Sequence, residues 1–198
     1  MFLAESTNSN FSQTDALDHL YGVDISSYAT HLTTVNLATR DLIDDQNYPL
    51  VATKDFFDTE PGKPLYTVPM GAGGVGGQMR HVIIPMLDAI VGNPPYVRQE
   101  EISIPPTAEF KGRVKIAAKS LDQIKKEQRA YKKHLGELVR AFAPDIEFSG
   151  RSDLHVYFWP HCAKYLKDDS YFGFLTSSGW LDVEYGFALQ EFVLRHFA

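Results

Sequence analysis

The sequence predicts an α/β fold with a mainly parallel sheet. Short apolar runs that end in polar residues alternate with longer stretches of helical periodicity. Near the N-terminus, a strand, a helix and a second strand fit into roughly 35 residues, the length of a parallel crossover unit. The chain has 198 residues, 44% of them hydrophobic, which is enough for one good core.

The first crossover unit is predicted from three segments. His19–Ile25 is a short apolar run that contains an acid near its end, as in parallel strands whose carboxyl ends face a ligand. The pair Ser26-Ser27 can cap the following helix, whose apolar pattern continues through Leu42. Pro49–Thr53 then forms the second strand.

A Pro- and Gly-rich excursion follows at residues 59–77 and contains five glycines within Gly71–Gly77. It lacks the lysine of a phosphate-binding loop, and neither a compact strand nor a capped helix flanks it closely. We therefore expect a hairpin or loop. Met86–Val91 is the third predicted strand, and it leads directly into Gly92 and Asn93.

The second half of the chain is predicted to be mostly helical. A long basic helix is expected over Ile116–Phe142 and another over Asp153–Leu166. Tyr171–Thr176 is predicted as a strand, Ser177–Trp180 as a turn and Tyr185–Phe197 as a final amphipathic helix.

Composition limits the class of protein. The single cysteine, Cys162, excludes an internal disulfide and a multi-thiolate metal site, and its helical context favours a buried thiol over a nucleophile. No run approaches the ~18 apolar residues of a membrane span. The Ser-, Asn- and Thr-rich start lacks the features of a signal peptide, and residues 1–18 are expected to be loosely ordered. We predict a soluble, cytoplasmic protein.

Charge is distributed unevenly along the chain. The net charge is −6, yet residues 111–140 contain ten Lys or Arg and three acids, a block of +7, so the remainder carries −13. One basic face on an acidic body suits contact with a polyanion. A solvated helix face beside an acidic domain explains the same pattern, and charge alone does not decide between them.

Polar residues follow three successive predicted strands: Asp24, then Asp55 with Phe56, then Asn93. In an open α/β sheet, the carboxyl ends of the strands line one crevice. An acid such as Asp24 can accept hydrogen bonds from both hydroxyls of a ribose. Asp55 can accept a hydrogen bond from an exocyclic amine, and Phe56 can lie against the face of a purine. For either aspartate taken alone, a helix cap or a solvated turn is the favoured alternative.

The tetrapeptide Asn93-Pro94-Pro95-Tyr96 is more specific. Two prolines hold the chain extended, so that the Asn93 carboxamide and the Pro94 carbonyl can both accept from one amine. Two acceptors localise the lone pair of a conjugated amine for attack on a methyl sulfonium, with no need for a cysteine or a metal. Tyr96 offers a ring for stacking on a base taken out of a duplex. The alternative is a rigid Pro-Pro turn with a buried tyrosine.

These segments, in their order, resemble the adenine-specific DNA methylases of Type IIG restriction–modification and related phage-defence enzymes. VGNPPYVRQEEI resembles the methyl-transfer motif of that family, LYGVDISSYATHLTTVNL and KDFFD its cofactor segments, and SDLHVYFWPHCAKYL to SGWLDVEYGFALQEFVL its later segment. The resemblance implies a Rossmann-like class I fold with helices on both faces of the sheet. It implies S-adenosylmethionine at Asp24, Ile25, Asp55 and Phe56. It also implies an adenine flipped out of duplex DNA at Asn93-Pro94-Pro95-Tyr96, and a DNA contact through the basic insertion at residues 111–142, for which the candidates are Lys125, Lys126, Lys132 and Lys133.

One family motif is missing from the expected place. The Gly-containing loop that contacts the methionine part of the cofactor should precede His19, and nothing in Met1–Asp18 supplies it. We therefore expect residues 19–198 to form a partial catalytic domain, incomplete at both ends. Its expected partners are the missing N-terminal part and a target-recognition domain. Methylation of protein glutamine or RNA guanine by the same amide chemistry, and a non-catalytic DNA-binding remnant, remain alternatives.

Overall fold

A computed structural model describes residues 13–40, 49–69, 79–103 and 120–197. These residues divide into two compact units, the first containing the described residues up to Pro85 and the second those from Met86 onward. In the described parts of the chain, no helix combines the length and the apolar character needed to cross a membrane.

Unit 1 contains the predicted crossover. Strand β1 (Tyr21–Asp24) and strand β2 (Leu50–Thr53) pair in parallel, from Tyr21 opposite Leu50 to Asp24 opposite Thr53. Helix α2 (Ser27–Ala38) connects them, and the Ser26 hydroxyl caps it by accepting from the amide of Ala29. The strand–helix–strand prediction is confirmed.

Two expectations for unit 1 need correction. Residues 13–18 form helix α1 (Gln13–Asp18), in which Leu17 is buried, so the expected loose order does not hold there; residues 1–12 lie outside the described part. Helix α2 ends at Ala38 and does not reach Leu42, because the Arg40 amide donates to the Leu37 carbonyl, three residues back, at 3.4 Å in place of the α-helical bond. Residues 41–48 are outside the described part.

The Pro- and Gly-rich excursion contains a hairpin, one of the two expected forms. Strand β3 (Pro64–Pro69) pairs antiparallel with strand β4 (Met79–Ile83). Its glycine run lies outside the described residues. Val82 of the hairpin and Leu50 of β2 are buried together, with Tyr21 and Tyr66 packed against them.

The described residues of unit 2 form one parallel strand pair and three α-helices: β5 (Leu87–Gly92), α3 (Leu121–Phe142), α4 (Leu154–Ala163), β6 (Leu166–Phe174) and α5 (Phe187–His196). The pairing of β5 with β6 runs from Leu87 opposite Leu166 to Gly92 opposite Phe174. Val156, Leu189 and Phe192 have no exposed surface and form the centre of the core.

Helix α4 is shorter, and strand β6 longer, than predicted. The helix ends at Ala163 instead of Leu166, and the strand begins at Leu166 instead of Tyr171. The sequence does not predict the start of the strand, because residues 167–170 are polar. The pairing is irregular at this point, and Asp169 adopts a left-handed conformation (φ 58°). Cys162 is buried on α4, as expected, and burial raises the pKa of its thiol.

Helix α3 is confirmed over Leu121–Phe142, and residues 116–119 lie outside the described part. Its first turn is fixed by a capping box, in which Ser120 accepts from the Gln123 amide and the Gln123 side chain accepts from the Ser120 amide. Leu135 and Val139 are buried, while most of its charged side chains are exposed. Gly136 does not interrupt the helix.

The described strands form three two-stranded pairs, of which two are parallel and one is antiparallel. A mixed α/β structure is therefore confirmed. The full class I sheet, mainly parallel with helices on both faces, stays a prediction.

Candidate functional site

Asp24 and Asp55 of unit 1 lie at the same end of a parallel strand pair. Asp24 is the last residue of β1 and stands opposite Thr53, the last residue of β2. Asp55 follows Thr53 by two residues. The Asp24 side chain is exposed, and its Oδ1 accepts from the amide of Ser26 at 2.6 Å. No described residue bonds to its Oδ2. The arrangement leaves one carboxylate oxygen of Asp24 available to a ligand.

Asp55 is only 8% exposed and caps a 3-10 turn, Phe56–Asp58. Its Oδ1 accepts from the amide of Phe57 at 3.0 Å. The capping role that was the alternative for this residue is thus present. Phe56 is half-buried and Ile25 is 37% exposed. The ligand-binding roles of Asp55, Phe56 and Ile25 stay predictions.

The tetrapeptide Asn93–Tyr96 of unit 2 leaves the end of β5 beside the end of β6. The amide of Leu175 donates to the Gly92 carbonyl at 3.0 Å and so continues the strand pairing by one residue. A Cβ on residue 92 would lie 2.7 Å from Cε1 of Phe174, so glycine is needed where the aromatic ring crosses the strand. Asn93 therefore starts from a closely packed strand end.

The Tyr96 ring is 54% exposed, so the alternative of a buried tyrosine is wrong. Its hydroxyl lies 2.8 Å from the Leu175 carbonyl and 2.9 Å from Oδ1 of Asn93. A phenol has one proton and donates it to one of these oxygens at a time, and the two lone pairs of Oδ1 of Asn93 leave that oxygen able to accept from a further donor. Among the described residues, none donates to the carbonyl of the buried Pro94. Two acceptors and an open aromatic face therefore lie within four residues.

The segment after Tyr96 is fixed by hydrogen bonds to helix α4. The amide of Leu154 donates to the Val97 carbonyl at 3.0 Å, and the amide of Gln99 donates to Oδ1 of Asp153 at 3.0 Å. The Tyr185 hydroxyl donates to Oδ2 of Asp153 at 3.0 Å. Burial and then this hydrogen bond raise the pKa of Tyr185.

Aromatic packing supports the end of β6. The Trp159 ring contacts Phe172, Phe174 and Trp180, with ring centroids 5.0, 5.6 and 5.8 Å apart. The indole nitrogen of Trp180 donates to the Thr176 hydroxyl at 3.4 Å. Trp180 lies in a 3-10 turn, Ser178–Leu181, at the position of the predicted turn. These contacts hold the residues next to Leu175.

The four candidate lysines all lie on α3, but their surroundings differ. Lys125 and Lys126 are exposed, and no described residue bonds to either. Lys133 pairs with Glu137 at 3.5 Å on the exposed surface, where an ion pair contributes little. Lys132 is half-buried and donates to Oε1 of Gln99 at 3.2 Å, which connects α3 to the segment after Tyr96.

The structure brings some of the predicted site residues together. Asp24 and Asp55 share one strand end in unit 1, and Asn93 and Tyr96 share a hydrogen bond in unit 2. A crevice shared by all three strand ends stays a prediction. Sequence reasoning missed three groups around Tyr96, namely the Leu175 carbonyl, the Asp153 carboxylate and the Gln99 amide. Only Asp153 had a local signal, its place before a helix.

Among the described residues, no three His, Cys, Asp or Glu side chains are grouped closely enough to hold a metal ion. The family model described as Eco57I restriction-modification methylase matches residues 86–198. The match begins at Met86, the first residue of unit 2. No curated protein matches the chain significantly.

Proposed function

Because the chain belongs to the Eco57I restriction-modification methylase family, we propose that it transfers a methyl group from S-adenosylmethionine to the N6 amine of adenine in DNA, as a Type IIG or related phage-defence methylase does. The family implies methyl transfer to DNA. The choice of adenine rests on one observation: the two acceptors of Asn93 and Pro94 lie beside the exposed ring of Tyr96. That set of groups suits an amine carried by a flat base.

The proposed role of Asn93 and Pro94 is to activate the amine. The N6 nitrogen of adenine is a poor nucleophile, because its lone pair is delocalised into the ring. Oδ1 of Asn93 and the carbonyl of Pro94 accept hydrogen bonds from its two N–H groups and so localise that lone pair. Pro94 is buried, and the tetrapeptide follows a paired strand, so the acceptors are oriented before the substrate arrives.

The proposed cofactor residues are Asp24, Ile25, Asp55 and Phe56. Asp24 fits the ribose of S-adenosylmethionine, because its carboxylate is exposed and only one of its oxygens accepts from a described residue. Phe56 is half-buried beside Asp55 and is the proposed contact for the purine of the cofactor. When bound, the cofactor supplies an electrophilic methyl group.

A labelled-methyl assay tests the proposal. The full chain, alone and together with host extract, is incubated with S-adenosylmethionine carrying a labelled methyl group and with mixed genomic DNA, RNA or a release-factor protein. We expect label in DNA, recovered as N6-methyladenine, and sequencing of the modified DNA identifies the target site. Label only in RNA or protein would refute the proposal. Salt-sensitive DNA binding without any binding of S-adenosylhomocysteine would favour a non-catalytic DNA-binding protein.

The basic helix α3 is proposed to contact the DNA backbone. Substituting Gln for Lys125, Lys126, Lys132 and Lys133 together should lower the steepness of the salt dependence of DNA binding. Each lost phosphate contact removes about 0.9 from the slope of log affinity against log salt concentration, so four remove about 3.6. Fluorescence anisotropy with a labelled duplex over a range of salt concentrations measures this slope.

The control for the lysine variant is Arg195→Gln. Arg195 pairs with Glu191 on the exposed surface of α5, in the same i,i+4 arrangement as Lys133 and Glu137 on α3. This substitution also removes an exposed positive charge and should leave the slope nearly unchanged. An unchanged slope in the fourfold variant would show that α3 is a solvated surface.

The Tyr96 ring is proposed to stack on the flipped adenine. Tyr96→Ala should weaken binding of a duplex containing the mapped target by about 1–3 kcal/mol, the usual scale of base stacking. Tyr96→Phe keeps the ring and loses only the hydroxyl bonds to Leu175 and Asn93. It should therefore retain most of the affinity. Equal losses in the two variants would mean that the hydroxyl, and not the ring, carries the interaction.

A further inference from the structure

Asp153 stands at the N-cap of α4, yet it does not cap that helix. An N-cap aspartate usually accepts from the amides of the first helical turn. Asp153 makes no such bond. Its Oδ1 accepts from the amide of Gln99 and its Oδ2 from the hydroxyl of Tyr185, each at 3.0 Å. Both carboxylate oxygens therefore connect α4 to other parts of unit 2.

The connection leads to the three residues that follow Tyr96. Leu154 donates to the Val97 carbonyl while Asp153 accepts from the Gln99 amide, so two adjacent residues hold this segment at two points. Lys132 of α3 donates a hydrogen bond to the Gln99 side chain. The segment that anchors Tyr96 is thus fixed by α3 and α4. Through Tyr185, it is also connected to the turn before α5.

The Asp153 carboxylate is well suited to hold a backbone amide in place. The residue is half-buried, as is Tyr185, which limits competition from water. Hydrogen bonds to an ionised acceptor are stronger than those between neutral groups. A displacement of about 1 Å in a reacting group can reduce a rate by roughly a hundredfold. Loss of this anchor should therefore affect the chemical step more than binding.

We propose that Asp153 is a positioning residue for Asn93–Tyr96: through the Gln99 amide it fixes the segment that holds the two acceptors and the ring in register with β6. This inference rests on the proposed function, because the reaction at Asn93 is what the positioning serves. The bond to the Gln99 amide does not depend on the reaction and can be measured separately.

The test compares Asp153→Ala with Asp153→Asn in the full chain. In Asp153→Ala we expect the Gln99 amide to exchange with deuterium at least about tenfold faster, because it loses its acceptor. We also expect kcat for methyl transfer to fall at least about tenfold while KM changes less than about threefold. Asparagine keeps an oxygen for the Gln99 amide and a polar group for Tyr185, so it should restore both values to within about threefold.

The control is Tyr157→Phe on the same helix. It removes a hydrogen bond from the Tyr157 hydroxyl to the Ser149 carbonyl without contact to residues 97–99. This variant should lose some thermal stability but keep the Gln99 exchange rate and kcat. Unchanged exchange at Gln99 in Asp153→Ala would overturn the proposal, as would equal acceleration throughout α4 and α5. If the wild type transfers no methyl group, the proposed function fails while the exchange measurement still decides the positioning of Gln99.

Discussion

Asn93→Ala is expected to reduce methyl transfer to DNA at least about 100-fold while leaving the affinity for S-adenosylhomocysteine nearly unchanged. Removal of one pre-oriented hydrogen-bonding group from an active site typically costs a factor of about 10² to 10³ in kcat. Oδ1 of Asn93 is such a group, exposed at the end of β5 and positioned by the Tyr96 hydroxyl. Single-turnover transfer from labelled cofactor measures the first quantity and calorimetry the second.

Asn93→Asp is the matched comparison. Aspartate has nearly the same size and keeps an oxygen acceptor at the same position, so it should retain much more activity than alanine. A common loss of transfer in both variants would show that the amide itself, and not the acceptor, is required. A parallel loss of cofactor affinity and transfer in Asn93→Ala would show that Asn93 belongs to the cofactor site.

The sequence predicts this part of the protein well because its signals are local. An apolar run ends in Gly92, and two prolines follow immediately, so the strand end and the extended tetrapeptide are determined by neighbouring residues. The same holds for the crossover in unit 1, where Ser26 caps α2 directly after β1. Such features depend on backbone preferences over a few residues, so the sequence predicts their positions closely.

The groups around Tyr96 could not be predicted in the same way. The Leu175 carbonyl that meets the Tyr96 hydroxyl is 79 residues away in sequence, and Asp153 is 54 residues from Gln99. A backbone carbonyl has no residue type to recognise, and an aspartate before a helix is normally interpreted as a cap. Only tertiary structure reveals that Asp153 has other partners. The start of strand β6 is hard to predict for a related reason, since Leu166 pairs with Leu87 of β5 across an irregular, polar stretch at residues 167–170.

Unit 2 joins these features into one arrangement. The family match covers residues 86–198, which include all the described residues of this unit. The proposed acceptors stand at the end of β5, the stacking ring is attached to the end of β6, and the following segment is attached to α4. The aromatic cluster around Trp159 packs against β6, the strand that Leu175 directly follows.

Gly186→Ala is expected to destabilise unit 2 by about 3 kcal/mol or more, at the upper end of overpacking effects. The backbone at Gly186 is ordinary helical (φ −78°, ψ −19°), so conformational strain is not the cause. The cause is steric, since a Cβ at residue 186 would lie 1.7 Å from the backbone oxygen of Trp180. That oxygen belongs to a 3-10 turn and accepts from the Gln190 side chain at 3.3 Å. Relief of the clash therefore requires movement of the backbone.

Gly136→Ala is the control with the opposite expected sign. Gly136 lies within α3, and a Cβ there meets nothing within 4 Å, so alanine should stabilise the helix by about 1 kcal/mol. Urea unfolding followed by tryptophan fluorescence measures both variants. Because displacement of Trp180 also disturbs its bond to Thr176, next to Leu175, folded Gly186→Ala should lose methyl transfer as well. Equal stability of the two variants would contradict the packing of Gly186 against Trp180.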